Sequence, residues 1–230
     1  MYTTLLFDAD NTLLDFDKDE RQALIKVLTE YGVPVSEQNI QTYSKINQGL
    51  WKQLEKGEIT KPELKKIRFR LFFDAIGFES EVDAFEVNER YLSFLSEGGN
   101  LLEGAMELCQ RLKNEGYEMH IVTNGIAETQ KKRLTRSGIY DLFETVFVSE
   151  VIGHQKPKRE FFDYVLDNIK QKDKSRMLVI GDSLSSDIKG AVDSGIPCVW
   201  LNMNNTAAPE DMKIDYVINN ISELYKILSE

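Results

Sequence analysis

FDADNTLLDF, residues 7–16, is the stretch from which the architecture can be read. It comes directly after an apolar run, YTTLLF, and places Asp8 and Asp10 two apart, with Thr12 at the same spacing beyond them. The run reads as a short buried strand. A strand that ends in two carboxylates is unusual, because neighbouring like charges disfavour each other's ionisation. A bound cation would make the arrangement tolerable.

Outward from this point the chain changes character twice. Residues 15 to 97 carry apolar residues at helical spacing and no convincing strand. DKDERQALIKVLTEYG stops at Gly32, and a further helix is expected over 36–56. TKPELKKIRFRLFFDAIG opens with Thr60 and Glu63 at capping-box spacing and closes at Gly77, and a last helix is expected over 80–97. From Leu101 helices and strands alternate: YEMHIVTNG, TVFVSE, RMLVIGD, IPCVWLN and a short DYVI each come after a helical segment. Alternation of this kind predicts an α/β fold, a parallel sheet with helices on both faces. The expected organisation is a Rossmann-like core from residues 1–14 and 98–230, with an all-helical domain, 15–97, inserted after the first strand. Hinges are expected near Leu14 to Asp17 and Gly98 to Asn100.

The ends of the strands collect polar residues. The first ends in Asp8 and Asp10, the second in Thr123, Asn124 and Gly125. The third runs on to GHQKP with Lys156, and the fourth ends in GDSLSSD with Asp182 and Asp187. Ligands of open parallel sheets sit at the carboxyl ends of the strands, so all four clusters are predicted to share one rim. Asp8 and Asp182 offer hard oxygen ligands suited to Mg²⁺. Thr123 supplies a hydroxyl, Gly125 allows close backbone approach, and the next helix start presents free N–H groups to an anion. With Lys156 as a point charge, the set suits a phosphate dianion. A carboxylate can also serve as nucleophile, giving an aspartyl-phosphate. Asp8 is the expected nucleophile, and Asp10 the group that protonates the leaving alkoxide and later activates water. Phosphate-monoester hydrolysis calls for enhancements of up to ~10²¹-fold. Acid–base catalysis supplies about 10²–10⁴-fold, so metal, lysine and backbone must carry much of the rest.

These motifs, DADNT, VTNG, QKP and GDSLSSD in that order, resemble the haloacid dehalogenase superfamily along the whole chain. The resemblance implies a Rossmann-like core, with the helical insertion as the family's cap. It implies Mg²⁺ held by Asp8, the Asp10 backbone carbonyl and Asp182, and Asp187 orienting Lys156 or a metal-bound water. Dehalogenation needs neither metal nor leaving-group acid, so Asp10 and Asp182 argue against it. A phosphoglucomutase-like reading expects Glu-Asp where Gly181 and Asp182 stand. A finer resemblance lies in NQGLWKQLEKGEIT with the following RFRLF, in TNGIAETQKKRLTRSGIYDLFETVFVSE and in QKPKREFFDYVL, which are similar to the pyrimidine 5′-nucleotidases of the superfamily. FDADNTLLDF fits that branch, where many other phosphatases carry FDxDGT. That resemblance implies dUMP- or dTMP-like substrates and a role in cleaning the nucleotide pool, with Asn47 and Arg68 as substrate contacts in the cap. The alternatives are a phosphoglycolate or sugar-phosphate phosphatase and, outside enzymes, a binding protein on a retired phosphatase scaffold.

Composition limits the other classes. The 230 residues carry a formal net charge of −10, against a general nucleic-acid binder, and 42% hydrophobic residues, enough for a core. Bulk charge is screened beyond roughly 8 Å at physiological salt, so an anionic substrate remains compatible with local positive groups. No apolar run approaches the roughly 18 residues of a membrane span, and the first residues lack a secretory pattern. Cys109 and Cys198 stand in apolar contexts and are expected to be core residues in a reducing, cytoplasmic compartment. His120 is expected in the core, His154 as structural, and Trp51 as helix core.

Overall fold

Strand β1, Thr4–Phe7, is buried on both faces in the computed structural model, which describes residues 1–79 and 81–229. It is the third of six strands in one sheet, joined by β2 (Glu118–Thr123), β3 (Thr145–Val148), β4 (Met177–Gly181), β5 (Cys198–Leu201) and β6 (Tyr216–Ile218). The strand order is β3-β2-β1-β4-β5-β6 and every pairing is parallel. The chain builds away from β1 to one side, then crosses to its other side at β4. That reversal makes the β1/β4 boundary the topological switch point, where the strand ends open a crevice. Register places Phe7 beside Ile121 of β2 and Ile180 of β4, so Asp8 emerges level with Gly181 at the end of β4 and one residue short of the end of β2.

One core layer, with Leu5, Phe7, Ile121, Leu178 and Val199 from the sheet, packs against Leu108 and Leu112 of helix α5, Ala105–Asn114. The opposite face, with Leu6, Val122, Val179 and Trp200, packs against Phe161, Phe162 and Val165. The near-continuous apolar strands result from this, since a parallel sheet is covered on both sides.

The described chain divides into two compact units, Met1–Phe16 with Gly99 onward, and Asp17–Gly98. The second is all-helical. It takes in most of α1 (Phe16–Glu30), then α2 (Glu37–Lys56), α3 (Lys61–Ile76) and α4 (Ala84–Leu95). Residue 80, where the last of these helices was expected to begin, lies outside the described residues; the helix itself starts at Ala84. The capping box of α3 forms as its sequence predicts, Thr60 accepting from the Glu63 N–H and Glu63 reaching back to the Thr60 N–H. Tyr43, Phe69, Phe72, Phe73 and Tyr91 pack ring against ring at the centre of this unit. Trp51 is half-buried against the cluster of Leu50, Leu54 and Leu64.

Candidate active site

The turn after β1 sets the site. Leu13 and Leu14 donate back to the Ala9 carbonyl, and Asn11 takes a left-handed conformation with φ 55°. Only glycine adopts that region freely, and asparagine tolerates it better than other side chains. The residue thus occupies the place that FDxDGT sequences fill with glycine. Its carboxamide accepts from the Phe16 N–H at 3.1 Å and closes the turn. Thr12 Oγ1 donates to Asp8 Oδ2 at 3.4 Å.

Lys156 stands at the centre. It is 1% exposed, and its ammonium donates to Asp8 Oδ1, Asp187 Oδ1 and the Val122 carbonyl, each at 2.6 Å. All three ammonium protons are therefore placed. Asp187 is held from its other oxygen by the Ser183 N–H at 3.1 Å. The loop that carries Lys156 is tied to the end of β2 by a reciprocal pair: Asn124 Nδ2 donates to the Lys156 carbonyl, and the Lys156 N–H donates to Asn124 Oδ1, both at 2.9 Å. The Asn124 side chain is thus engaged with the backbone of the lysine loop.

Asp182 continues β4 at the rim, half-buried, with its carbonyl accepting from Trp200 Nε1 at 2.9 Å. Asp8, Asp182 and Asp187 each bring a carboxylate oxygen within 4.8 Å of the others. One ammonium faces three carboxylates, and burial together with this surplus charge shows in the proton affinities of Asp8 and Asp182. Burial pushes the Asp8 carboxyl up to about 7 against the pull of Lys156, with Asp187 and Asp10 adding to the rise. Burial likewise raises Asp182 well above the usual carboxylate range, helped by Asp8 and Asp187. Burial works against the charged form of Lys156, but Asp187 and Asp8 outweigh it and the net shift is upward. An all-oxygen set with surplus negative charge has the chemistry of a hard-cation site.

Glycines mark the close approaches. A Cβ on Gly125 would lie 2.6 Å from Gln130 Cγ, and one on Gly181 would lie 2.3 Å from Asp187 Cγ. Thr123 Oγ1 accepts from the Gly125 N–H at 3.1 Å and from Gln130 Nε2 at 3.0 Å. Gln130 and Arg133, both on α6 (Ala127–Arg136), also bind Asp10, and neither is singled out by reading the motifs. The sequence carries no signal for them: only the structure shows that they share the buried stripe of α6 with Thr129 and Leu134.

Asn47 and Arg68 lie within the helical unit. Arg68, 2% exposed, donates to Asn47 Oδ1 at 3.1 Å and through Nε and Nη2 to Asn88 Oδ1. Asn47 Nδ2 donates to Glu20 Oε1 at 2.6 Å, and Ser44 to Glu20 Oε2 at 2.7 Å. The two residues thus sit together in one buried polar network, apart in sequence from the strand-end cluster. His120 is buried in β2 beside Glu118 and its pKa is lowered by burial, while His154 is exposed. Cys109 and Cys198 are buried and unpaired, with burial pushing the Cys109 thiol up to about 12. No helix among the described residues is long and apolar enough to cross a membrane.

Comparison with known proteins gives the same outline. YfnB of Bacillus subtilis (strain 168), named only as a HAD-hydrolase, is 39% identical over 99% of this chain and 96% of its own. Its magnesium-bound crystal structure, described as revealing interdomain movement, superposes with a TM-score of 0.92 over 100% of this chain and 99% of that one. The pyrimidine 5′-nucleotidase PynA of Streptococcus pneumoniae (strain ATCC BAA-255 / R6) is 36% identical over 100% of this chain and 96% of its own. The pyrimidine 5′-nucleotidase YjjG of Escherichia coli (strain K12) is 31% identical over 97% and 96%. The family model of haloacid dehalogenase-like hydrolases matches residues 2–195, a span that holds every strand-end group described above, and the chain belongs to that family.

Proposed function

We propose that the protein is a Mg²⁺-dependent phosphomonoesterase that works through an aspartyl-phosphate on Asp8 and acts on pyrimidine nucleoside monophosphates. The observation that carries the reading is the strand-end arrangement, with buried Lys156 bridging Asp8 and Asp187 beside Asp182. Two full-length relatives named as pyrimidine 5′-nucleotidases support the substrate class.

Asp8, Asp182 and the Asp10 carbonyl would hold the cation. Asp187 is the poorer candidate, since Lys156 and the Ser183 N–H already engage its two oxygens. When bound, Mg²⁺ supplies positive charge that offsets the carboxylates and stabilises charge on the phosphoryl oxygens. An Asp8 oxygen attacks phosphorus, and the bond to the ester oxygen breaks. Asp10 gives its proton to the departing alkoxide. It then takes one from a water, whose oxygen attacks the phosphoenzyme and releases Asp8 and inorganic phosphate. Lys156 steadies Asp8 and neutralises charge on the transferred group. Thr123 and the Asn124 and Gly125 backbone form the rest of the phosphate cradle. None of these groups reads a nucleobase, so the helical unit Asp17–Gly98 is assigned the role of specificity cap.

The test is phosphate release with Mg²⁺ from dUMP, dTMP, dGMP, phosphoglycolate and hexose phosphates, compared by kcat/KM. The pyrimidine nucleotides are expected to lead, because a site shaped around one ring excludes purines by overlap. A lead for phosphoglycolate or a hexose phosphate would reject the nucleotide assignment. Full activity after exhaustive chelation would reject the metal site.

A further inference from the structure

Asp10 is gripped from one side by a helix that carries none of the strand-end motifs. Its Oδ1 accepts from Arg133 Nη1 at 2.5 Å and its Oδ2 from Gln130 Nε2 at 2.8 Å. Arg133 Nη1 also donates to Gln130 Oε1 at 3.0 Å. That bond fixes the Gln130 amide: with its oxygen toward the guanidinium, its nitrogen must face Asp10 and Thr123. The same Nε2 reaches Thr123 Oγ1 at 3.0 Å. A single amide therefore ties the group assigned to proton transfer to the hydroxyl assigned to the phosphate.

Gln130 and Arg133 are each 1% exposed, whereas the Asp10 side chain is 29% exposed. A buried guanidinium is costly to desolvate and is tolerated only when its donors are satisfied. Here Nη1 of that guanidinium is directed at the Asp10 carboxylate on the open rim, and the Arg133 guanidinium also lies over the Phe16 ring at 5.4 Å. The two side chains stand three residues apart and so share one face of α6. Gly125 keeps that face close, since a Cβ there would strike Gln130. The arrangement has the form of a rigid support, in which groups that do not react lock the rotamer of one that does.

We infer that Gln130 and Arg133 are positioning residues that aim the Asp10 carboxylate at the leaving oxygen and hold it in register with Thr123. This rests on the reading of Asp10 as the group that protonates the leaving group. Protonation matters for an alkoxide, which is a poor leaving group, and matters little for p-nitrophenolate, which departs as a stable anion. A mis-aimed Asp10 therefore lowers reaction with an alkyl ester more than with the aryl ester. A purely structural loss lowers both alike.

The experiment measures kcat/KM for dUMP and p-nitrophenyl phosphate, with Mg²⁺, on wild type, Asp10→Asn, Gln130→Met, Arg133→Met and Arg133→Lys. Because kcat/KM stops at the first irreversible step, breakdown of the phosphoenzyme does not enter the comparison. General acid catalysis is worth about 10²–10⁴-fold, and a mis-set acid should lose a share of it. Gln130→Met and Arg133→Met are expected to lower the dUMP value about 10-fold or more beyond the loss on p-nitrophenyl phosphate. Arg133→Lys, which keeps one charged donor, should recover part of the difference. If Asp10→Asn shows the selective loss and Gln130→Met and Arg133→Met lower both substrates equally, the positioning role is overturned while Asp10 keeps its own. If Asp10→Asn shows no selective loss, the reading of Asp10 fails and the inference falls with it. Should Arg133→Met not fold, Gln130→Met decides, because its loss leaves the ion pair in place.

Discussion

Asp8 occupies a position that is poor for stability and suited to reaction. Its carboxyl is buried, shares one ammonium with Asp187 and lies within reach of Asp182. Its pKa of about 7 in the folded chain stands above the roughly 3.9 of an unfolded aspartate. Between those values the folded state binds more protons, so unfolding free energy falls as pH rises from about 4 through about 7. Asp182, also raised, contributes with the same sign. Asp8→Asn removes the Asp8 share while its amide oxygen can still accept from Lys156. We therefore expect Asp8→Asn to end turnover without lowering the thermal midpoint, and to melt above wild type in EDTA at pH 8. The gap should narrow at pH 5 and close when Mg²⁺ is added to wild type. A wild-type midpoint in EDTA that exceeds the variant's more at pH 8 than at pH 5 would reverse the sign and refute the account. That the acidic residues gather was legible in the sequence, because a solvated turn or a helix cap explains each strand end alone but not acidic groups at several ends of one parallel sheet. Gln130 and Arg133 were not, because within QKKRLTR a buried polar stripe looks the same as a solvated face.

Among the secondary-structure elements, the segment after the fourth strand carries a local irregularity. GDSLSSDIKGAVDSG reads as a strand end and a helix, and the strand and helix are present. Between them, however, Leu184–Ile188 forms a π-helical turn before α-helical residues Lys189–Ser194. Wider turns of this kind concentrate at functional sites. Here the turn brings Asp187 back against Gly181, where it accepts from the Ser183 N–H and reaches Lys156. Motif spacing says which residues belong to a site, and it does not say how the backbone winds to present them. The Trp200 bond to the Asp182 carbonyl was equally hidden, since an apolar strand residue gives no sign that its indole N–H has a partner at the rim. Gly181→Ala tests the element directly. A Cβ 2.3 Å from Asp187 Cγ must displace that carboxylate and loosen Lys156. A misplacement of about 1 Å can cost 10²-fold, so a loss of that order in kcat is expected, with the sheet intact by circular dichroism. Unchanged kcat in Gly181→Ala would mean that the Asp187–Lys156 contact does not set the rate.

The chain as a whole is arranged around one insertion point. The Asp15 N–H donates to the Asn100 carbonyl at 2.9 Å, the Leu102 N–H donates to the Leu13 carbonyl at 2.9 Å, and Leu14 bridges Leu101 in antiparallel sense. The chain thus leaves and re-enters the sheet unit through two paired segments, which is why the long run Asp17–Gly98 can be inserted without disturbing the strand order. Among the described residues, the two apolar layers of the sheet unit are formed by residues of that unit, and Tyr43, Phe69, Phe72, Phe73 and Tyr91 form an aromatic cluster within the helical unit. The insertion was legible from the loss of alternation after residue 15. The Glu20, Asn47, Arg68 and Asn88 network inside it was not, because its members are scattered over four helices. Because Asp15 and Asn100 already touch, replacing residues 17–98 by a short flexible linker should let the sheet unit fold, with a cooperative melt and the parallel-sheet dichroism retained. If the helical unit supplies specificity, the shortened protein should keep measurable Mg²⁺-dependent activity on p-nitrophenyl phosphate. Its kcat/KM for dUMP should fall toward that for dGMP until the two are close to equal. A folded shortened protein that still favours dUMP as strongly as the full chain would move specificity into the sheet unit, and the search for base contacts would turn to the strand-end loops.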